Sequence, residues 1–70
     1  MSKRTYHVCG SYAAVYKDGR HAGTLSYSGE QEAEDGETAI RQAAGDEMIE
    51  HNYVAFMWLY AEAEPVGPDP

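Results

Sequence analysis

An Asp-Gly pair at positions 18 and 19 constrains the fold of this 70-residue chain more than any other feature. Such a pair supplies the positive φ angles of a two-residue type I′ turn, and it therefore predicts a β-hairpin over residues 5–28. If Lys17 pairs with Arg20, the strand register follows from the turn. The predicted cross-strand pairs are Tyr16 with His21, Ala14 with Gly23, Tyr12 with Leu25, and Gly10 with Tyr27.

This register predicts a ribbon with two unlike faces, because alternate side chains of a strand point to opposite sides. One face is bulky and carries Tyr12, Tyr16, Leu25 and Tyr27. The opposite face is shallow and carries only small side chains: Cys9, Ser11, Ala13, Val15, Ala22, Thr24 and Ser26.

The chain then becomes acidic. Residues 29–36 read Gly-Glu-Gln-Glu-Ala-Glu-Asp-Gly, which predicts a solvated loop. Asp35 is positioned to cap a helix that begins near Glu37 and ends at His51. Within that helix Gly45 leaves the continuity open, and Ile49 lies opposite the apolar stripe. The stripe itself consists of Ile40, Ala43, Ala44 and Met48.

The segment from Tyr53 to Ala61 is rich in aromatic and β-branched residues and predicts a third strand. Strict alternation places Val54, Phe56, Trp58 and Tyr60 on one face and Tyr53, Ala55, Met57 and Leu59 on the other. Both faces are apolar, whereas a single helix covers only one of them. The surplus predicts a contact with a partner or a second copy.

The order strand, strand, helix, strand predicts an α+β fold. A right-handed crossover gives a three-stranded antiparallel sheet in the order 2-1-3, with the helix packed on one face. We expect a single domain over residues 1–64 and a disordered Pro-rich tail over residues 65–70. The core is small, since a chain of this length buries little apolar surface.

Several classes of protein are disfavoured by the sequence. Cys9 is the only cysteine, which excludes an intrachain disulfide and favours the cytoplasm. The start of the chain lacks a signal-peptide pattern, and the longest apolar run, residues 53–61, is far shorter than the roughly 20 residues of a membrane span. His7 and Cys9 have the i, i+2 spacing of a ligand pair or a thiol with its base, but no third group completes such a site. We therefore predict no cofactor, no metal and no catalytic residue.

Charge is the feature that bears on partners. Eleven of the twelve acidic residues, but only one of the five basic ones, lie after Ser28, and the net charge is −7. This acidity opposes direct binding to nucleic acid or to anionic membranes and favours a basic protein partner. The candidate partner-binding residues are Glu30, Glu32, Glu34, Asp35, Asp46, Glu47, Ile49, Glu50 and Trp58.

In size, acidity and lack of catalytic residues, the chain resembles the class of phage-encoded inhibitors that includes anti-CRISPR proteins and other nucleic-acid mimics. The resemblance implies a non-enzymatic inhibitor whose carboxylates occupy a Lys/Arg-rich nucleic-acid channel of a partner. Ile49 or Trp58, if exposed, would serve as an apolar anchor. The alternative is a homodimeric structural or regulatory module that pairs through the strand from Tyr53 to Ala61. A small enzyme built around His7 and Cys9 is a third hypothesis.

Overall fold

A computed structural model describes residues 3–67. It contains four elements in the order β1 (Arg4–Tyr16), β2 (His21–Ala33), α1 (Gly36–His51) and β3 (Tyr53–Pro65). The strands form one antiparallel sheet in the order β2-β1-β3, and α1 packs on one of its faces. The predicted α+β fold and strand order are therefore confirmed.

The turn between β1 and β2 differs from the predicted type I′ turn. Gly19 N donates to Tyr16 O at 2.9 Å, and Tyr16 N donates to Arg20 O at 2.8 Å, so the turn contains three residues. Gly19 has a φ of 91°, whereas Asp18 has no positive φ. This combination is a type I turn closed by a left-handed glycine. Asp18 stabilises it by accepting hydrogen bonds from the Arg20 backbone N and from Arg20 Nε.

The longer turn makes two of the predicted pairs wrong, and the first is that of Lys17 with Arg20, because Tyr16 bonds to Arg20 instead. Val15 pairs with His21, so the predicted pair of Tyr16 with His21 is wrong. Ala22 is then the extra residue of a bulge, which the positive φ of Gly23 accommodates. Beyond this bulge the register returns to the prediction, and the pairs Ala14 with Gly23, Tyr12 with Leu25 and Gly10 with Tyr27 are confirmed.

The predicted acidic loop over residues 29–36 is mostly strand. β2 continues to Ala33, which pairs with Arg4 and is only 1% exposed. Gln31 Nε2 donates to Asp46 Oδ2 at 2.9 Å, which joins β2 to the helix. Glu30 and Glu32 alternate with these inward positions and point to the other face, because neighbouring strand residues face opposite ways. The alternation of side chains in residues 29–33 is compatible with a strand, although the composition of this segment is typical of a loop.

The helix begins as predicted. Asp35 is its N-cap, and its Oδ1 accepts a hydrogen bond from Thr38 N at 2.7 Å. The helix is continuous through Gly45 and ends at His51. The next residue, Asn52, is the C-cap, which has a left-handed φ of 58° and donates its N–H to Met48 O. The face toward the sheet buries Ala39 and Ala43 fully, which lets the helix axis approach the strands closely.

Two small clusters of buried residues form the core between α1 and the sheet. The first contains Tyr6, Val8, Ala33, Ala39 and Ala43, and the second contains Tyr12, Ala14 and Tyr53. Trp58 is half-buried and packs against both clusters. Its ring makes edge-to-face contacts with Tyr12, Tyr27 and Phe56, so aromatic packing adds to the backbone pairing that holds β3 in the sheet.

Two bulges in β3 overturn the predicted assignment of its faces. Tyr16 pairs with Tyr53 and Val15 with Ala55, which makes Val54 an extra residue. Leu59 is a second extra residue, lying between the partners of Tyr12 and Ser11. Each extra residue reverses the alternation. Tyr53, Phe56 and Trp58 therefore face the helix, while Ala55, Met57 and Tyr60 share the opposite face.

The end of β3 lies beyond the expected boundary at residue 64. Pro65 is the last residue of the strand and pairs with Tyr6, and Val66 N donates to Thr5 O at 2.9 Å. The first residues of the expected disordered tail are therefore paired with β1. Gly67, with a positive φ of 78°, follows them, and residues 68–70 of the expected tail lie outside the described residues.

Candidate protein-binding face

The sheet face away from α1 is not covered by any other part of residues 3–67. We call it the open face. On the central strand it carries Thr5, His7, Cys9, Ser11, Ala13 and Val15, which alternate with the buried residues Tyr6, Val8, Tyr12 and Ala14. The predicted shallow face of small residues is thus correct for β1. The two outer strands give this face its chemical character.

One end of the open face, which we call the acidic half, carries four carboxylates around His7. His7 pairs with Glu30 of β2 on one side and with Glu64 of β3 on the other. Glu32 and Glu62 occupy the neighbouring pairs, opposite Thr5 and Cys9. Paired residues of antiparallel strands share a face, so the four exposed carboxylates all project from the same surface.

The strand geometry sets the spacing of these charges. Glu30 and Glu32 are two residues apart, and so are Glu62 and Glu64, which separates the Cα atoms within each pair by about 6.7 Å. The two pairs lie on strands that flank β1, and the rows are therefore about 9.6 Å apart. A compact field of four negative charges is held by backbone pairing and does not depend on a mobile loop.

His7 and Cys9 lie inside the acidic half, but they do not form a joint site. His7 Nε2 is 3.0 Å from Ser28 Oγ, so the ring is hydrogen-bonded across to β2. Cys9 is a free, exposed thiol whose cross-strand neighbours are Ser28 and Glu62. The interaction that the structure gives His7 is with a serine hydroxyl and not with the thiol.

The other end of the open face is apolar, and we call it the apolar half. On β1 and β3 it consists of Ala13, Val15, Ala55, Met57 and Tyr60, and on β2 it is bordered by the polar residues His21, Thr24 and Ser26. Met57 and Tyr60 are 59% and 52% exposed, respectively. Small side chains beside them leave a shallow depression of about 240 Å³, which is lined mainly by Ala13, Val15, Ala55 and Met57, with His21 at its β2 side. Met57 thus stands beside a concave apolar surface that no described residue fills.

The structure divides the nine predicted partner-binding residues into groups. Glu30 and Glu32 lie in the acidic half, and Glu34 and Asp35 form the adjacent connection to α1. Trp58 is half-buried between sheet and helix, so the exposure on which its predicted role as an anchor depended is not present. The remaining four residues are on α1, on the other side of the sheet: Asp46, Glu47, Ile49 and Glu50.

On the helix, Ile49 is 80% exposed, as expected from its position opposite the stripe. Glu47 is mostly buried and accepts a hydrogen bond from the Tyr12 hydroxyl at 3.1 Å. Burial, together with the hydrogen bonds to Tyr53 and Glu47, raises the pKa of Tyr12 well above its usual value. Glu47 therefore serves the packing of helix on sheet more than the surface.

Glu47 also belongs to a group with Glu50 and His51 in the last turn of α1. Their candidate ligand atoms lie within 4.8 Å of one another. His51 Nε2 is 3.7 Å from Glu47 Oε1, and the His51 ring packs on Tyr53. A carboxylate already hydrogen-bonded to Tyr12 and an imidazole packed at a tilt against Tyr53 explain this geometry through packing alone.

Four residues of the open face were not among the predicted partner-binding residues: Glu62, Glu64, Met57 and Tyr60. The signal for the carboxylates was present, because Glu62-Ala63-Glu64 repeats the alternation of Glu30-Gln31-Glu32. Both segments read as acid-neutral-acid, which places the two carboxylates of each on one strand face. Only the register brings the segments together across β1.

No protein-family model, no curated protein and no solved structure matches the chain. Within residues 3–67, no helix has the length and apolar character that crossing a membrane requires.

Proposed function

We propose that this chain is a non-enzymatic, cytoplasmic inhibitor that binds a basic protein and occludes its nucleic-acid-binding site. The observation that carries the proposal is the acidic half, where Glu30, Glu32, Glu62 and Glu64 project from one face around His7. Partners whose sites bind phosphates present clustered Lys and Arg side chains, and an ordered group of carboxylates is complementary to them. The anti-CRISPR-like character expected from size and acidity is a specific form of this proposal.

The carboxylates are supported on a rigid element, which favours recognition over general solubility. Residues Glu30 and Glu64 are held by pairing to His7 on a central strand whose other side is buried in the core. Because the backbone that carries the charges is already ordered, only the glutamate side chains lose conformational entropy on binding. The acidic residues of α1 lie on the opposite side of the sheet and are not part of this surface.

The alternative, a homodimer that pairs along β3, is less favoured by the shape of that strand. Val54 and Leu59 are bulge residues, and bulges interrupt the regular backbone pairing that a continuous intermolecular sheet requires. The strand nevertheless keeps exposed apolar side chains. We therefore propose that these side chains contribute to partner binding through the open face and not through the free edge of β3.

The proposal is tested with a labelled oligo-arginine peptide bound to a short DNA oligonucleotide. The protein should displace the DNA at low salt, and its affinity for the free peptide, measured without DNA, should fall as the ionic strength is raised to the physiological value of about 0.15 M, where charges are screened over about 8 Å. Replacing Glu30, Glu62 and Glu64 together by Gln should weaken peptide binding about tenfold. Three exposed ion pairs of about 0.5 kcal/mol each account for this factor.

The matched control changes three carboxylates of α1 to amides: Glu37, Asp46 and Glu50. Both triple variants alter the net charge equally, but only the first alters the open face. We expect the control to retain binding within about twofold, a loss set by long-range attraction alone. Equal losses in the two variants would show that total charge, and not this face, determines binding, and the proposal would fail.

A further inference from the structure

The two halves of the open face lie end to end along the strands. The acidic half is at the end where β2 and β3 finish, and the apolar half is toward the turn between β1 and β2. His7 and Val15, eight residues apart on the same strand face, mark the two regions. Any occupant of the whole face must therefore match an acidic surface at one end and an apolar surface at the other.

The size of the face shows that both halves are needed. Six residues on each of three strands give the apolar half an area of about 300 Å². A specific interface covers about 800 Å² on each partner. The whole open face, along a molecule 43 Å long, offers about 600 Å², which approaches that value. The apolar half by itself is too small for a stable complex.

A second copy of this chain does not match the face. If two copies stack with their strands running the same way, the carboxylates of one acidic half lie against those of the other and repel. If one copy is reversed, Glu30 and Glu64 of each lie over Met57 and Tyr60 of the other. Burying these carboxylates without partners is strongly unfavourable. A dimer limited to the apolar halves avoids both problems but has too little area.

We propose that the open face binds an amphipathic helix of the partner, with an apolar stripe over the apolar half and a Lys/Arg-rich end over the acidic half. The inference rests on the proposed function for the basic nature of that partner. Three strands span about 14 Å, which matches a helix diameter of about 10–12 Å. Backbone groups are already paired across β1, so recognition is through side chains, which a helix presents as a stripe.

The opposite face of the same sheet shows how such packing works. There α1 packs through Ala39 and Ala43, which keep the helix close to the strands. On the open face the small side chains are on the sheet itself, at Ser11, Ala13 and Val15. The partner helix therefore supplies the larger apolar side chains, and the depression beside Met57 accepts one of them.

The test uses two designed helical peptides of identical composition, each with a stripe of Leu at helical spacing. In the block peptide all Lys and Arg residues lie in one half, and in the dispersed peptide they are spread evenly. We expect the block peptide to bind at least tenfold more tightly, as measured by fluorescence anisotropy. Met57→Ser should weaken it about tenfold by removing apolar contact. Ile49→Ser, a change at a still more exposed apolar residue on α1, should leave binding unchanged.

Met57 and Ile49 are exposed, so both variants should keep the wild-type urea midpoint, and unfolding is measured to verify it. Equal affinity for the two peptides, or unchanged binding by Met57→Ser, would overturn the helix assignment. The proposed function would survive that result if the Glu30, Glu62 and Glu64 variant still lost oligo-arginine binding. Sedimentation should show a monomer, and a dimer that Met57→Lys dissociates would assign the face to a second copy instead.

Discussion

The Tyr12 hydroxyl donates a hydrogen bond to Glu47 Oε1 at 3.1 Å, which joins the middle of the central strand to the C-terminal half of α1. Tyr12 is 2% exposed, and its oxygen is also 3.2 Å from the Tyr53 hydroxyl. Because the single Tyr12 proton is directed to the carboxylate, Tyr53 is the donor in the second bond. Strand, helix and β3 thus meet at one polar cluster inside an aromatic core.

We predict that Tyr12→Phe destabilises the protein by about 1.5–3 kcal/mol, the usual contribution of a hydrogen bond to a charged group. The loss leaves Glu47 mostly buried without its donor. Tyr53→Phe removes only a neutral hydroxyl pair and should cost about 0.5–1.5 kcal/mol. Urea unfolding at neutral pH measures both values. Equal costs would mean that the carboxylate is not an effective partner of Tyr12.

The same cluster predicts a loss of stability in alkali. The pKa of Tyr12 is raised in the folded protein, because burial and its neighbours disfavour the phenolate. Its contribution is therefore complete below the unfolded pKa of about 10 and declines as the pH rises above that value. The free energy of unfolding of Tyr12→Phe should fall less steeply above about pH 10 than that of the wild type. Parallel pH profiles for the two proteins would contradict this assignment.

The capping carboxylate of Asp35 predicts that the stability of the protein falls in acid. Its pKa is lowered because the carboxylate accepts the hydrogen bond from Thr38 N. A lowered pKa gives stability that is present above the unfolded value of about 3.9 and is lost as the pH falls through the folded value. Asp35→Asn keeps a capping oxygen, so it should fold at neutral pH and show a shallower acid transition. Asp35→Ala should be less stable than both at neutral pH, as measured by thermal unfolding.

Two glycines should respond in opposite directions to substitution by alanine. Gly45 is an exposed residue in the middle of α1, and a Cβ added there would meet no neighbouring atom within 4 Å. Gly45→Ala should stabilise the protein by about 1 kcal/mol through helix propensity. At Gly10 a Cβ would collide with the backbone carbonyl of Tyr60 and lie 2.9 Å from Ala61 Cα. Gly10→Ala should destabilise the sheet, and a stabilising result there would refute the close pairing of β1 with β3.

Local signals in the sequence predicted the elements that depend on a few neighbouring residues. Asp35 identified the helix start, and Asp18-Gly19 identified the hairpin. The predicted hairpin register is correct for Ala14 and for the residues of β1 that precede it. It is correct there only because the bulge at Ala22 offsets the longer turn. A turn motif indicates that the chain reverses, but the number of turn residues also depends on side-chain bonds such as that of Asp18 to Arg20.

The faces of β3 could not be predicted by alternation. Tyr53 and Trp58 both pack under α1, although they are five residues apart and strict alternation puts them on opposite faces. The bulges at Val54 and Leu59 allow this arrangement, because aromatic burial outweighs the lost pairing. Tertiary packing determined this outcome, and no local pattern near Val54 or Leu59 indicated it.

The acidic half required information from distant parts of the chain. Composition predicted an acidic partner surface, and Glu30 and Glu32 were included in it. Glu62 and Glu64 join them only because β1 lies between β2 and β3, with His7 opposite both Glu30 and Glu64. The helix carboxylates looked equivalent in sequence, but they lie on the other side of the sheet.

The most direct test of the central claim is chemical-shift mapping of the ¹⁵N-labelled protein with the oligo-arginine peptide. If the open face is the binding surface, the largest shifts should fall on the amides of His7, Cys9, Glu30 and Glu64, while those of Ile49 and Glu50 remain in place. Shifts centred on the outer side of α1, or spread evenly over all acidic residues, would contradict the claim that this sheet face binds the basic partner.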